Sequence, residues 1–106
     1  MGKRSESYKE FILERLKDPK ERVGYINAAL EDGDPEILLS VLEDCVEAMG
    51  GISWLSRVTH LSRPSLYKIM SKKGNPKYDS LAKVLSALGL RLNVSLAKSK
   101  KELTHA

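Results

Sequence analysis

A chain of 106 residues, 42% hydrophobic and 30% charged, has length for one modest core and not for two. No apolar run approaches the roughly 20 residues that span a bilayer, no apolar stretch follows the basic residues of "MGKRSESYKE", and the single Cys45 has no internal disulfide partner, so no membrane span, secretory signal or disulfide scaffold is expected, and a reducing cytoplasm fits. Charge is unevenly placed: residues 1–50 hold 7 Lys or Arg against 12 Asp or Glu, a net −5, while residues 51–106 hold 11 against 2, a net +9, which suits a polyanionic partner for the second half.

Tyr8, Phe11, Ile12 and Leu16 recur at helical spacing, predicting an amphipathic helix over about 7–17. Asp18 then reads as an N-cap, Pro19 as the first helical residue and Glu21 as the capping-box acid that reaches back. The second helix runs to about Glu31 with Val23, Ile26, Ala29 and Leu30 inward, and "EDGDPE" repeats the Asp-Pro device at Asp34-Pro35. Capping accounts for that acidic cluster, which lacks the ligand spacing of a calcium loop. A third helix carries Ile37, Leu38, Val41, Leu42, Cys45, Val46 and Met49 on one stripe, with Cys45 a small core hydrophobe, and Gly50-Gly51 stops it.

Two short helical patterns follow, Ile52–Thr59 and Arg63–Ser71, then a basic turn "KKGNPKYD" and a helix over 78–89 with Leu81, Val84, Leu85 and Leu88 inward. In "LRLNVSL" the period changes: Leu90, Leu92, Val94 and Leu96 alternate with polar residues, predicting a strand over 90–96. A lone strand is costly in a helical chain, and pairing with the same strand of a second copy is the economical solution, making those four residues the expected dimer interface; a flexible arm or pairing with another protein are the alternatives. Residues 97–106 read as a polar tail. The whole is one mainly α domain, 1–106, with acidic helices over 7–50 and a helix-turn-helix over 52–71.

Within "ISWLSRVTHLSRPSLYKI", Leu55 and Val58 face inward from the first helix, Leu61 plugs the turn, and Leu66 and Ile69 face inward from the second. Ser56 is small where the helices meet, and His60 falls where left-handed backbone is required. Trp54 is read as covering a helix junction or a dimer surface. Ser62 is the N-cap of the second helix, so Pro64 stands in its first turn, where no intrahelical bond is lost.

The outer side then offers Arg63 to fork onto guanine, Ser65 to bases or phosphate, Tyr67 to a thymine methyl or phosphate, Lys68 to the backbone, and Pro64 as a rigid apolar contact. Ser62, Lys72, Lys73 and Lys77 complete the expected DNA-binding set, the lysines as phosphate contacts. Half-core packing of Tyr67 and a merely solvated lysine loop are the structural alternatives.

These residues resemble the lambda-repressor-like (Xre-type) helix-turn-helix proteins and, within them, the HigA-like antidotes of addiction modules. The likeness rests on "YKEFILERLKDPKE", "YINAALEDGDPEILLSVLEDCVEAMGGIS" and "SRPSLYKIMSKKGNPKYDSLAKVLSALGLRL". His60 and Ser56 depart from the Gly and Ala common in the motif. The resemblance implies a five-helix domain, here with an extra N-terminal helix, that binds its own palindromic promoter site as a homodimer and neutralises a RelE-like ribonuclease toxin.

Neither histidine sits in a metal-ligand spacing, and no phosphate-cradling glycine loop or nucleophile–base pair occurs, so no enzyme, cofactor or metal is expected. A stand-alone Xre-type regulator, or a protein-interaction module whose basic face never touches DNA, are the alternatives to an antitoxin repressor.

Overall fold

The computed structural model describes residues 6–71 and 75–97. They form six helices: α1 (Glu6–Arg15), α2 (Pro19–Asp32), α3 (Pro35–Met49), α4 (Gly51–Thr59), α5 (Arg63–Ile69) and α6 (Tyr78–Ala87). α3 lies centrally, packed on α1, α2 and α4, and α4 in turn carries α5 and α6.

Both Asp-Pro steps act as local chemistry dictates. Asp18 and Asp34 have extended backbone, and their carboxylates accept the N–H of Lys20 and Glu36 at 2.9 Å, with the prolines opening each helix. Glu21 corrects one expectation. Instead of reaching back to the cap, its carboxylate takes Nη2 and Nε of Arg15 at 2.6 and 3.2 Å, while Arg15 also lies over the Phe11 ring at 5.6 Å.

The core is built mainly from α3: Leu38, Leu39, Val41, Leu42, Cys45 and Val46 are buried, joined by Leu16, Ile26 and Ala29 from one side and Leu55, Leu66, Met70, Val84, Leu85 and Leu88 from the other. Burial pushes the Cys45 thiol up to about 12, with Arg22 opposing and Asp44 adding to the shift, so it stays a neutral core group. Leu39, off the expected stripe, is fully buried, because helices on several sides of α3 widen its covered arc.

The converse occurs at the periphery. Tyr8, Phe11, Val23, Leu30, Ile37 and Val58, expected to face inward, are exposed. Periodicity fixes which side of a helix is apolar, and neighbours then decide how much of that side is covered. α1, for example, packs chiefly on α3.

Arg22 is the largest departure from a surface reading of charged residues, with only 5% of its area exposed. Its Nη1 donates to the carbonyls of Leu16 at 2.9 Å and Lys17 at 3.2 Å, and its Nε and Nη2 both donate to the carbonyl of Leu88 at 3.2 and 3.0 Å. Those oxygens belong to the ends of α1 and α6, where helix carbonyls lack intrahelical donors and the helix dipole is negative. One guanidinium thus closes two helices. A second polar contact, half-buried, joins α2 to α3, where the Tyr25 hydroxyl donates to Asp44 Oδ2 at 3.1 Å.

After α6 the expected strand is absent: no strand occurs among the described residues. Gly89 turns the chain at φ 81°, and Leu90 N–H returns to the Leu85 carbonyl at 2.8 Å. A ladder requires a second backbone alongside, and among the described residues none lies against residues 91–97. Leu92 is partly covered, whereas Val94 and Leu96 are 92% and 91% exposed.

Candidate nucleic-acid interface

α4 begins at a backbone that only glycine takes readily. Gly50 has φ 130°, and a Cβ there would lie 2.9 Å from the Cβ of Trp54, so this residue both ends α3 and lets the half-buried indole close over the junction. Trp54 is therefore a packing residue.

At the other end of α4 the turn is clasped by two hydroxyls. Thr59 Oγ1 donates to the Leu55 carbonyl at 2.7 Å and accepts Leu61 N–H at 3.2 Å, while Ser56 Oγ donates to the Leu61 carbonyl at 2.6 Å. Leu61 enters this clasp half-buried, as its plug role requires. Smallness was the only reason legible for Ser56; its hydroxyl adds a bond that alanine would not make.

His60 has φ 63° and ψ 22°, the left-handed conformation its position demands. An L-residue there costs about 1–2 kcal/mol, partly offset in any glycine variant by extra unfolded-chain entropy. His60→Gly is therefore expected to raise stability by about 0.5–1 kcal/mol, read as a higher urea midpoint at unchanged slope. A lowered midpoint would show that the imidazole contributes more than its backbone strain removes.

α5 stands on fully buried Leu66, buried Met70 and half-buried Ile69. Its N-cap is Ser62, whose Oγ accepts Ser65 N–H at 3.2 Å, with Pro64 in the first turn. The Ser62 hydroxyl donates to Ser65 Oγ at 3.0 Å, which leaves the Ser65 proton available to an outside acceptor. The helix ends at Ile69, two residues before the expected Ser71.

Ser62, Arg63, Pro64, Ser65, Tyr67 and Lys68 are all exposed, Tyr67 by 61%, so half-core packing of that ring does not occur. Lys77 is exposed at the N-cap of α6, and Lys72 and Lys73 lie outside the described residues.

Arg63 Nη2 donates to Ser53 Oγ on α4 at 2.9 Å. Sequence reasoning missed Ser53, ten residues away, because nothing in its own neighbourhood marks it. The contact holds the guanidinium beside the start of α4 without neutralising it.

The electrostatic setting is one-sided, since no Asp or Glu occurs between Glu47 and Asp79. The boundary with the acidic half is a groove of about 500 Å³ lined by Lys9, Glu43, Glu47, Ile52 and Tyr67. Among the described residues no group of three or more His, Cys, Asp or Glu gathers as metal ligands would, and no helix is long and apolar enough to cross a membrane.

Residues 7–96 match the family model of probable addiction module antidote proteins. The chain is also 34% identical over 95 residues to an uncharacterized protein of Haemophilus influenzae (strain ATCC 51907 / DSM 11121 / KW20 / Rd), covering 89% of this chain and 97% of that one. No solved structure matches. An antidote acts by binding and performs no catalysis of its own. With the family model spanning residues 7–96, and the relative aligned over nearly its full length, this chain belongs to the probable addiction module antidote family.

Proposed function

We propose that this antidote is a cytoplasmic homodimer that represses its own module by binding a palindromic operator and that it neutralises a RelE-like toxin. The observation that carries the DNA-binding part is the outer surface of α5: a capped, rigidly seated helix presents Arg63, Ser65, Tyr67 and Lys68 to solvent within a stretch free of carboxylates. Docking begins with phosphate neutralisation by Lys68 and Lys77, aided by Lys72 and Lys73. The guanidinium of Arg63 then forks onto guanine O6 and N7 while Ser65 and Tyr67 meet neighbouring base edges or phosphates. Two copies place two such helices in successive major grooves about 34–36 Å apart. The acidic helices α1–α3 offer charge complementarity to a basic toxin.

Gel shifts on the DNA upstream of the coding region, run as a salt series, test this reading. Specific binding is expected, with log K falling linearly against log salt, and Lys68→Ala is expected to reduce that slope by about one unit at every sequence tested. Equal affinity for upstream and scrambled DNA would overturn the operator assignment. Copurification with the product of an adjacent small basic reading frame tests the toxin arm, and its failure leaves a stand-alone regulator.

A further inference from the structure

Two neighbouring features of the described residues each lack a counterpart in one chain. The first is the segment after α6. Beyond the Leu90 N–H bond and a bond from Val94 N–H to the Asn93 side chain at 2.8 Å, residues 90–97 form no backbone hydrogen bond among the described residues, and Val94 and Leu96 are almost wholly exposed. The second is a groove of about 400 Å³ between this segment and α2, lined by Val23, Asn27, Leu30, Leu85, Leu90 and Leu92. Val23 and Leu30 lie on one face of α2, two turns apart, and both are exposed.

We infer that a second copy of the chain seats its C-terminal segment at this groove, residues 90–96 of the two chains pairing antiparallel about a two-fold axis at Asn93. The inference rests on the dimer in the proposed function and specifies its contact.

The register follows from the side chains. With the axis at Asn93, Leu90 stands opposite the partner's Leu96 and Leu92 opposite the partner's Val94, so all four apolar residues meet apolar residues. Opposed side chains in an antiparallel pair share a face, with Cβ atoms about 4.5–5.5 Å apart. Leu90 already packs against the core, so its face is the one toward α2, and the partner's Leu96 and Val94 come to lie over the groove. Arg91 meets Ser95, which avoids like charges. An axis at Arg91 would set two guanidinium groups face to face, an axis at Ser95 would leave Leu90 and Leu92 without apolar partners, an axis at Leu92 or Val94 would leave Leu96 or Leu90 without a partner inside the segment, and an axis midway between residues would oppose the apolar positions to odd-numbered ones, which are mostly polar.

Disulfide trapping and sedimentation test this with full-length protein. Under mild oxidation Asn93→Cys is expected to yield a covalent dimer, because directly opposed residues have Cα atoms about 4.5–5.5 Å apart, within disulfide reach. Ser95→Cys is expected not to, since its two copies lie four residues apart along the pair, about 14 Å. Native Cys45 is fully buried and does not compete. Leu96→Asp, at a site exposed in the single chain, is expected to keep the helical circular dichroism and weaken dimerisation about tenfold to a hundredfold.

A monomeric wild-type mass overturns the inference. So does a dimer that cross-links at Ser95→Cys in preference to Asn93→Cys, or that withstands Leu96→Asp. A chain that cross-links at Asn93→Cys yet binds no operator keeps this interface and removes only the repressor reading.

Discussion

Arg22→Ala is expected to lower the unfolding free energy by about 2–5 kcal/mol, because two buried carbonyl ends lose their donor and a cavity opens where the side chain lay. A 106-residue domain holds about 5–15 kcal/mol in all, so the loss takes a large share of it. The Leu16 and Leu88 carbonyls have no other hydrogen bond among the described residues, and their distance from bulk water is what makes the loss large. Arg22→Met separates the causes. It refills the volume and leaves the carbonyls unpaired, so it is expected to recover only part of the stability in urea titrations. Full recovery would mean that Arg22 acts by packing alone. Arg22→Lys is not a conservative control, since an ammonium has no planar fork to span two helix ends.

Arg63→Ala is expected to weaken specific operator binding by about 1–3 kcal/mol, roughly 5- to 150-fold, and to erase preference at one base pair, while the preferences elsewhere persist. In the free protein the guanidinium holds a single charge-assisted hydrogen bond, to the exposed hydroxyl of Ser53. Bidentate contact with guanine exceeds that, so release from Ser53 does not prevent base reading. Arg63→Lys keeps the charge and loses the fork, so it is expected to retain nonspecific affinity and still relax discrimination. Binding selections against a randomised operator would read both effects. An unaltered base preference in the two variants would remove α5 from the reading role.

Much of the fold was legible because its signals are local. The caps at Asp18, Asp34 and Ser62 act on N–H groups two or three residues away, and left-handed backbone at His60 follows from the length of the turn. Six helices and the buried set Leu42, Cys45, Val46, Leu55, Leu66 and Leu85 follow from periodicity. What escaped depends on distant partners. Burial of Arg22 is decided by a carbonyl 66 residues later, and Glu21 is taken from its expected cap by Arg15 across the α1–α2 corner. Exposure of Val23 and Leu30 is settled by what fails to cover α2. The same holds for the strand over 90–96, whose alternation shows an apolar edge without saying what lies against it. At the candidate site Arg63 and its neighbours could be named from the helix start alone, whereas Ser53 needed the meeting of two helices.

The Arg22 clamp also bears on geometry far from α5. Leu88, whose carbonyl takes two of its donors, stands two residues before the segment proposed to join the two chains. If that segment joins two chains, it leaves α6 from a braced root instead of a hinge, and the offset between the two reading helices would be a fixed dimension of the pair. An operator with one base pair inserted between its half-sites turns one of them by about 34–36° around the DNA axis. A braced pair has no slack to follow, so discrimination would extend to the interval between half-sites that no side chain touches.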